Sequence, residues 1–236
     1  MVEGGDIALL KRFQNTLFFE TASPLDTIPS MSVGGWGGWN YAVGSSMFLE
    51  NAVGEGITTY CILDSDYHTS EEIEVRQKDA KTRGVQLHIW KRKEIENYLL
   101  VPEAIRRVIA SNLGYTKPGP STVEIEAQLE VIAHNLKNDV LDGAASMIQH
   151  RNRGIDAGTA NKRAREQVEP IWQTPDGRMA LIPGKTALSA LSQWSNTTYG
   201  VSFSSVRLAS ELKAHEIDEE IKLMLAAIED LEPFVD

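Results

Sequence analysis

The sequence predicts an α/β protein with a mostly parallel sheet flanked by helices. Three observations predict it. Residues 57–63 (Ile-Thr-Thr-Tyr-Cys-Ile-Leu) form an apolar, β-branched run that stops at Asp64-Ser65-Asp66, the composition of a buried strand with a polar end. Residues 85–90 alternate as a second strand. Between and after them lie polar and amphipathic stretches of helical length, and strand, helix, strand, helix in this order calls for a parallel sheet with crossover helices.

Met1-Val2-Glu3 before Gly4-Gly5 reads as the end of a strand whose earlier residues are missing from this chain. Ile7, Leu10, Phe13, Leu17 and Phe18 recur at helical spacing. Residues 28–33 are short and partly apolar, and four glycines surround Trp36 and Trp39 in a loop where the backbone must turn tightly or approach something closely. A polar helix is expected over 70–82, closed by Gly84, and a further helix over about 98–113. Lys117-Pro118-Gly119-Pro120 is a break, after which Ser121 and Glu124 have capping-box spacing. Ile125, Leu129, Ile132, Leu136 and Val140 then continue a long amphipathic helix. The basic stretch 151–165 is expected to be helical in its second half. Pro175-Asp176-Gly177 reads as a turn, residues 179–182 as a short strand, and two more helices follow, the last with Ile217, Ile221, Met224, Leu225 and Ile228 on one face.

Composition narrows the class. The chain has 236 residues, 42% of them hydrophobic and 24% charged, an ordinary globular balance. A single cysteine, Cys61, excludes an intrachain disulfide and cysteine-rich zinc modules. No apolar run approaches the ~20 residues of a membrane-spanning helix, and no secretory pattern follows Met1, so a cytoplasmic location without membrane association is expected. The formal net charge of −10 argues against a protein that coats nucleic acid through a basic surface. It does not argue against a metal-dependent enzyme, because carboxylates that hold cations are neutralised in the working site.

Asp64 and Asp66 are the strongest local feature. They stand just past the carboxyl end of an apolar strand, where open α/β sheets bind ligands. A spacing of two in extended chain puts both carboxylates on one side, a donor pair that suits Mg²⁺ with water and phosphate completing its shell. The same residues are also common in turns that cap their own backbone. Glu3 ends a presumed neighbouring strand; Asp6 is either a further ligand or a first-turn helix residue. Glu94 and Glu96 follow the second strand; in a helix only one could face a metal, in an extended junction both could. Lys185 stands in Pro-Gly-Lys-Thr, but Met179 occupies the position where a nucleotide-binding loop needs glycine. It is expected instead to meet charge developing on a phosphate, with a plain surface lysine as the alternative. His68 adjoins the acidic pair. Trp36 and Trp39 are either base-stacking or packing residues. Lys91-Arg92-Lys93 and the cluster of Arg151, Arg153, Lys162, Arg163 and Arg165 either hold phosphates or face solvent.

The ordered set of Glu3-Gly4, Asp64-x-Asp66, Glu94-Ile95-Glu96-Asn97-Tyr98-Leu99-Leu100 and Pro183-Gly184-Lys185 resembles the TOPRIM domain of the OLD (overcoming lysogenization defect) family of nucleases. Within that family it is most similar to the segments that follow an ABC-type ATPase domain in bacterial anti-phage endonucleases. The family's further acid four residues after the first glutamate is replaced here by Ile7. The resemblance implies a TOPRIM, Rossmann-like core over residues 1–116, a helical insertion over 117–174, and a C-terminal strand and helices over 175–236 that complete the region. It implies Glu3, Asp64 and Asp66 as metal ligands, Glu94 or Glu96 serving a second metal, and Lys185 at the phosphate. Two Mg²⁺ or Mn²⁺ ions would then support in-line hydrolysis of DNA. It also implies an ATPase domain or subunit as partner and leaves homo-oligomerisation open. An RNA-cleaving effector, including one acting on tRNA, and an inert assembly module built on the 121–150 helix are the alternatives.

Overall fold

A computed structural model describes residues 1–21, 24–53, 57–113 and 118–229 of the chain. It divides into two compact units: residues 1–65, 69–90 and 212–236 in the first, residues 66–68 and 91–211 in the second. The expected boundary at 116/117 lies outside the described residues, as does Lys117.

The first unit holds a parallel strand pair, β1 (Thr59–Leu63) and β2 (Val85–Ile89), in the register Thr59 to Val85 through Leu63 to Ile89. The pairing extends beyond β2, where the Trp90 amide donates to the Leu63 carbonyl at 3.1 Å. On the other side of β1 the chain start adds itself. Ile62 N–H donates to Met1 O at 3.0 Å, Val2 N–H donates to Met31 O, and Val33 N–H donates to Val2 O. Met1-Val2 thus lies beside β1, and the 31–33 segment pairs in parallel with Val2 on its far side. The expected strand end at Glu3 is present as this two-residue stretch.

Helices surround these strands. They are α1 (Ile7–Leu17), a 3₁₀ turn at Gly35–Gly38, α2 (Trp39–Val53) and α3 (Ser70–Thr82). Helix α3 starts where its sequence dictates: the Thr69 hydroxyl accepts from Glu72 N–H, and the Glu72 carboxylate reaches back to Thr69 N–H at 2.9 Å, the reciprocal capping box. The core packs Val33, Trp39, Ala42 and Val43 against Cys61, Leu63, Ala80, Val85 and Ile89.

The second unit is helical. The Glu94–Asn97 junction opens a 3₁₀ turn (Ile95–Leu99), and Pro102 starts α4 (Pro102–Leu113). The expected helix over 98–113 therefore begins later, because proline takes the first helical position and ends what precedes it. Helix α5 (Thr122–Arg151) is capped by Ser121 and contacts α4, α6 (Ala157–Trp172), α7 (Pro175–Leu181) and α8 (Gly184–Tyr199). Its apolar face runs past Val140 through Ala144, Ala145 and Ile148, which carries the helix to Arg151. A short α9 (Ser205–Ala209) closes this unit, and α10 (Glu219–Glu229), with Ile221, Met224, Leu225 and Ile228 buried, belongs to the first.

The strand expected at 179–182 is instead the end of α7, and 175–177 is its first turn. Thr174 is the N-cap, accepting from Gly177 N–H at 3.1 Å, and Pro175 takes the N1 position. The C-terminal region 175–236 therefore contributes helices and no strand among the described residues. No helix among them is long and apolar enough to cross a membrane.

Candidate functional site

In the first unit the chemistry gathers where the parallel strands end. Asp64 follows the last residue of β1 and is only 3% exposed. Its backbone N–H faces the Glu3 carboxylate, Oε2 lying 3.4 Å away. The Glu3 carboxylate thus stands against the Asp64 backbone at the carboxyl edge of adjacent parallel segments.

The glycine loop explains how Glu3 is held. Gly35 has a left-handed φ of 67°, and a Cβ built on it would lie 2.5 Å from Glu3 Oε1. Only glycine lets the backbone adopt that conformation at low cost and come this close to the carboxylate. The next residue continues the cradle: Trp36 Nε1–H donates to the Asp64 carbonyl at 2.8 Å. Trp39 is 3% exposed, and its Nε1–H donates to Asp79 Oδ2. Burial removes Trp39 as a base-stacking platform and gives it the packing role. The two indoles share one cation, the Arg76 guanidinium, 5.0 Å from the Trp36 ring and 5.2 Å from the Trp39 ring. Arg76 had no assigned role in the sequence reading. Burial lowers its pKa, partly offset by Asp79 and Cys61. Asp6 is buried at the N-cap of α1, where its carbonyl accepts from Leu9 and Leu10 N–H. Its backbone serves the helix start.

Asp66 falls in the second unit and departs from the expected geometry. Its φ of 47° is left-handed, so the extended-chain rule that would align it with Asp64 does not apply; aspartate is among the few residues that adopt this region without glycine's freedom. Its Oδ1 accepts from Lys93 Nζ at 3.1 Å, and the same ammonium donates to Glu94 Oε1 at 2.7 Å. Burial works against the Lys93 charge, yet Glu94 and Asp66 outweigh it and hold the pKa above the ordinary lysine value. Of the expected phosphate-binding run, Lys93 is therefore an internal countercharge. Arg92 is also engaged, its Nη1 on Asn97 O at 3.1 Å and its guanidinium over the Tyr98 ring. Lys91 is exposed.

Glu94 and Glu96 both meet Lys185. Glu94 sits in extended backbone as the N-cap of the 3₁₀ turn, and its Oε2 accepts from the Lys185 backbone N–H at 3.0 Å. Burial raises the Glu94 pKa, but the bonds from Lys93 and from Lys185 N–H prevail and hold it below the ordinary range. Glu96 lies in the turn, 7% exposed, with Oε2 3.7 Å from Lys185 Nζ. Burial raises its pKa, and Lys185 offsets this only in part.

Asn97 builds this corner. It is fully buried. Its Oδ1 accepts from Glu94 N–H at 2.9 Å, and its Nδ2 donates to Met179 O and Ile182 O at 2.7 and 2.8 Å. A Cβ at Gly184 would come within 2.7 Å of Asn97 Oδ1. The two motifs 94–97 and 183–185, far apart in sequence, are thus one packed unit joined through Asn97 and Gly184. The three-residue spacing of Glu94 and Asn97, a capping-box spacing, was the signal that could have found this role.

The remaining candidates divide. Arg151 Nη2 donates to Tyr67 O at 3.1 Å and stands 3.0 Å from His68 Nδ1. Arg153, Lys162, Arg163 and Arg165 are exposed. In the first unit the sequence reading missed Glu220, buried on α10, whose Oε1 is 3.2 Å from His88 Nε2 on β2.

Among the described residues no three histidine, cysteine or acidic side chains converge as a ready-made metal cage. A hard cation of the Mg²⁺ type does not need one: it is held by one or two carboxylates, keeps several waters and takes substrate phosphate oxygens. No protein-family model, no curated protein and no solved structure matches the chain.

Proposed function

We propose that the chain is a nuclease module of the TOPRIM type that hydrolyses phosphodiester bonds in DNA with a divalent cation, Mg²⁺ or Mn²⁺. One observation carries the reading: Asp64 is buried directly past a parallel strand, with Glu3 against its backbone N–H and a glycine turn fitted around Glu3. The carboxyl ends of the strands of an α/β sheet are where ligands bind.

Glu3 and Asp64 would hold the ion, which when bound supplies positive charge to the phosphate and acidifies water. The chain's own groups do the rest. Gly35 and Trp36 fix the Glu3 and Asp64 positions. In the second unit Lys185 keeps its backbone N–H on Glu94 and has a side chain 55% exposed; the resemblance of the ordered motifs assigns it to the phosphate, where a lysine serves as a point charge against the negative charge that builds in the transition state. Through the resemblance of the ordered motifs, the reading extends to a module regulated by an ATPase partner in phage defence.

The test is supercoiled plasmid incubated with the purified chain and Mn²⁺ or Mg²⁺. Metal-dependent nicking is expected, lost in EDTA and in Asp64→Asn, with the circular dichroism of that variant unchanged. Nicking that survives Asp64→Asn would refute the site.

A further inference from the structure

We infer that Lys93 is a built-in cation whose ammonium occupies the place between Asp66 and Glu94 that a second divalent ion would take, so that the chain works with one divalent ion and one fixed lysine charge. The count of ions rests on the nuclease reading; the placement of Lys93 does not.

The geometry is that of a ligand set already filled. The Lys93 ammonium is within hydrogen-bond distance of two carboxylates, 3.1 Å from Asp66 Oδ1 and 2.7 Å from Glu94 Oε1. Its side chain is only 10% exposed, and it lies over the Tyr67 ring, 5.2 Å from the centroid. The backbone is tied on both sides. Lys93 N–H donates to Ala180 O at 2.8 Å, and Lys93 O accepts from Asp66 N–H at 3.3 Å. A lysine drawn in from the surface by stray carboxylates would be long, exposed and loosely anchored. This one is buried, seated on an aromatic face and fixed at its main chain, so its position is set by the fold.

Charge counting agrees. Asp66, Glu94 and Glu96 carry three negative charges, Lys93 and Lys185 two positive ones. A divalent ion between Asp66 and Glu94 would meet the Lys93 charge at contact distance, and the like charges would repel. It would need carboxylate oxygens at about 2.0–2.1 Å for Mg²⁺, a space the ammonium fills. Lys93 is a positioning residue: it holds Glu94, which in turn accepts from the Lys185 backbone N–H.

The experiment is Mn²⁺ titration calorimetry of the whole chain, with ¹⁵N spectra of the lysine ammonium groups before and after Mg²⁺. Wild type is expected to bind one equivalent, unchanged in Asp66→Asn/Glu94→Gln and lost in Glu3→Gln. The Lys93 ammonium signal should remain protected from exchange and unshifted at saturating Mg²⁺. Lys93→Met, which keeps length and removes charge, is expected to gain a second equivalent. Two equivalents in wild type with one lost in the double variant, or a Lys93 signal released by Mg²⁺, would overturn the inference. Zero equivalents in wild type would sink the nuclease reading instead. The Lys93 signal and the gain in a folded Lys93→Met would then still decide the placement, and no gain would overturn it.

Discussion

Replacing Gly35 by alanine separates two costs that usually arrive together. Gly34 and Gly35 both have left-handed backbone, with φ of 66° and 67°. An alanine at either position therefore bears the steric penalty of that region, about 1–2 kcal/mol. Their surroundings differ. Nothing lies within 4 Å of a Cβ at Gly34, whereas a Cβ at Gly35 would meet Glu3 Oε1 at 2.5 Å and Glu3 Cδ at 2.9 Å. To restore ordinary contact at 3.4 Å the Glu3 carboxylate must retreat by 0.9 Å (3.4 − 2.5). A glutamate tip can do this cheaply, so the two variants should show nearly equal losses in urea unfolding. Function should split them, because a misplacement of about 1 Å at a reacting centre costs roughly 100-fold in rate. Gly34→Ala is expected to keep Mn²⁺ affinity and plasmid nicking near wild type, and Gly35→Ala to lose about two orders of magnitude in nicking. Equal nicking and equal Mn²⁺ affinity in the two variants would refute the claim that the Glu3 position matters to the chemistry.

The remaining predictions concern the second unit. Asn97→Ala leaves Glu94 N–H, Met179 O and Ile182 O without their partner; at about 1–3 kcal/mol for each buried polar group left unsatisfied, the loss should be at least about 3 kcal/mol in urea unfolding, and a loss under 1 kcal/mol would refute the corner's role. Glu94 and Glu96 should shape the pH dependence in opposite senses. The Glu94 pKa is depressed by Lys93 and the Lys185 N–H against its burial, so its contribution is present above the unfolded value of about 4.3 and is lost as pH falls through its folded value. Glu94→Gln should therefore cost stability at pH 7 and progressively less in acid. The Glu96 pKa is raised by burial, so its contribution is present below about 4.3 and is lost as pH rises through its folded value. Glu96→Gln should gain on wild type as pH rises across that window; urea midpoints at pH 4 and pH 7 that move the other way would contradict both assignments.

The parts of the fold that could be read from sequence are those specified locally. Strand β1 is β-branched and ends in acids; α3 carries its capping box in Thr69 and Glu72; α5 repeats its apolar residues over many turns. Helix α7 was misread because Thr-Pro-Asp-Gly satisfies two local grammars. It is a turn by its Pro-Asp-Gly, and a helix start by threonine at the N-cap with proline at N1. Packing against α5 and α6 decides for the helix, and that packing is not in the local pattern. The roles of Lys93 and Trp39 were closed to sequence for the same reason. A basic run and a glycine-flanked indole look alike whether they face solvent or pair with a carboxylate, and only the tertiary partners, Asp66 and Glu94 for one and Asp79 for the other, tell which.

Burial explains why the acids of the site were nonetheless legible. The chain has 33 acidic residues, and among the described residues five are buried: Asp6, Asp64, Glu94, Glu96 and Glu220. The ordered motifs single out three of the five, Asp64, Glu94 and Glu96; Asp6 stays open between a ligand and a helix start, and Glu220 is passed over. A carboxylate can stay inside only where partners repay its lost hydration, and those partners need backbone or side chains at fixed offsets. A strand that ends at the carboxylate, a glycine that clears space for it, an asparagine three residues on and a lysine after a glycine are such offsets, and they leave a pattern in the sequence. Glu220 left none because its partner His88 comes from a distant strand and neither residue sits at a strand end or a cap. The visible acids are thus those whose burial is arranged by local backbone, and the motif is the trace of that arrangement. It follows that residues without charge, Gly35 beside Glu3 in the first unit and Asn97 with Gly184 beside Glu94 in the second, position the carboxylates next to them.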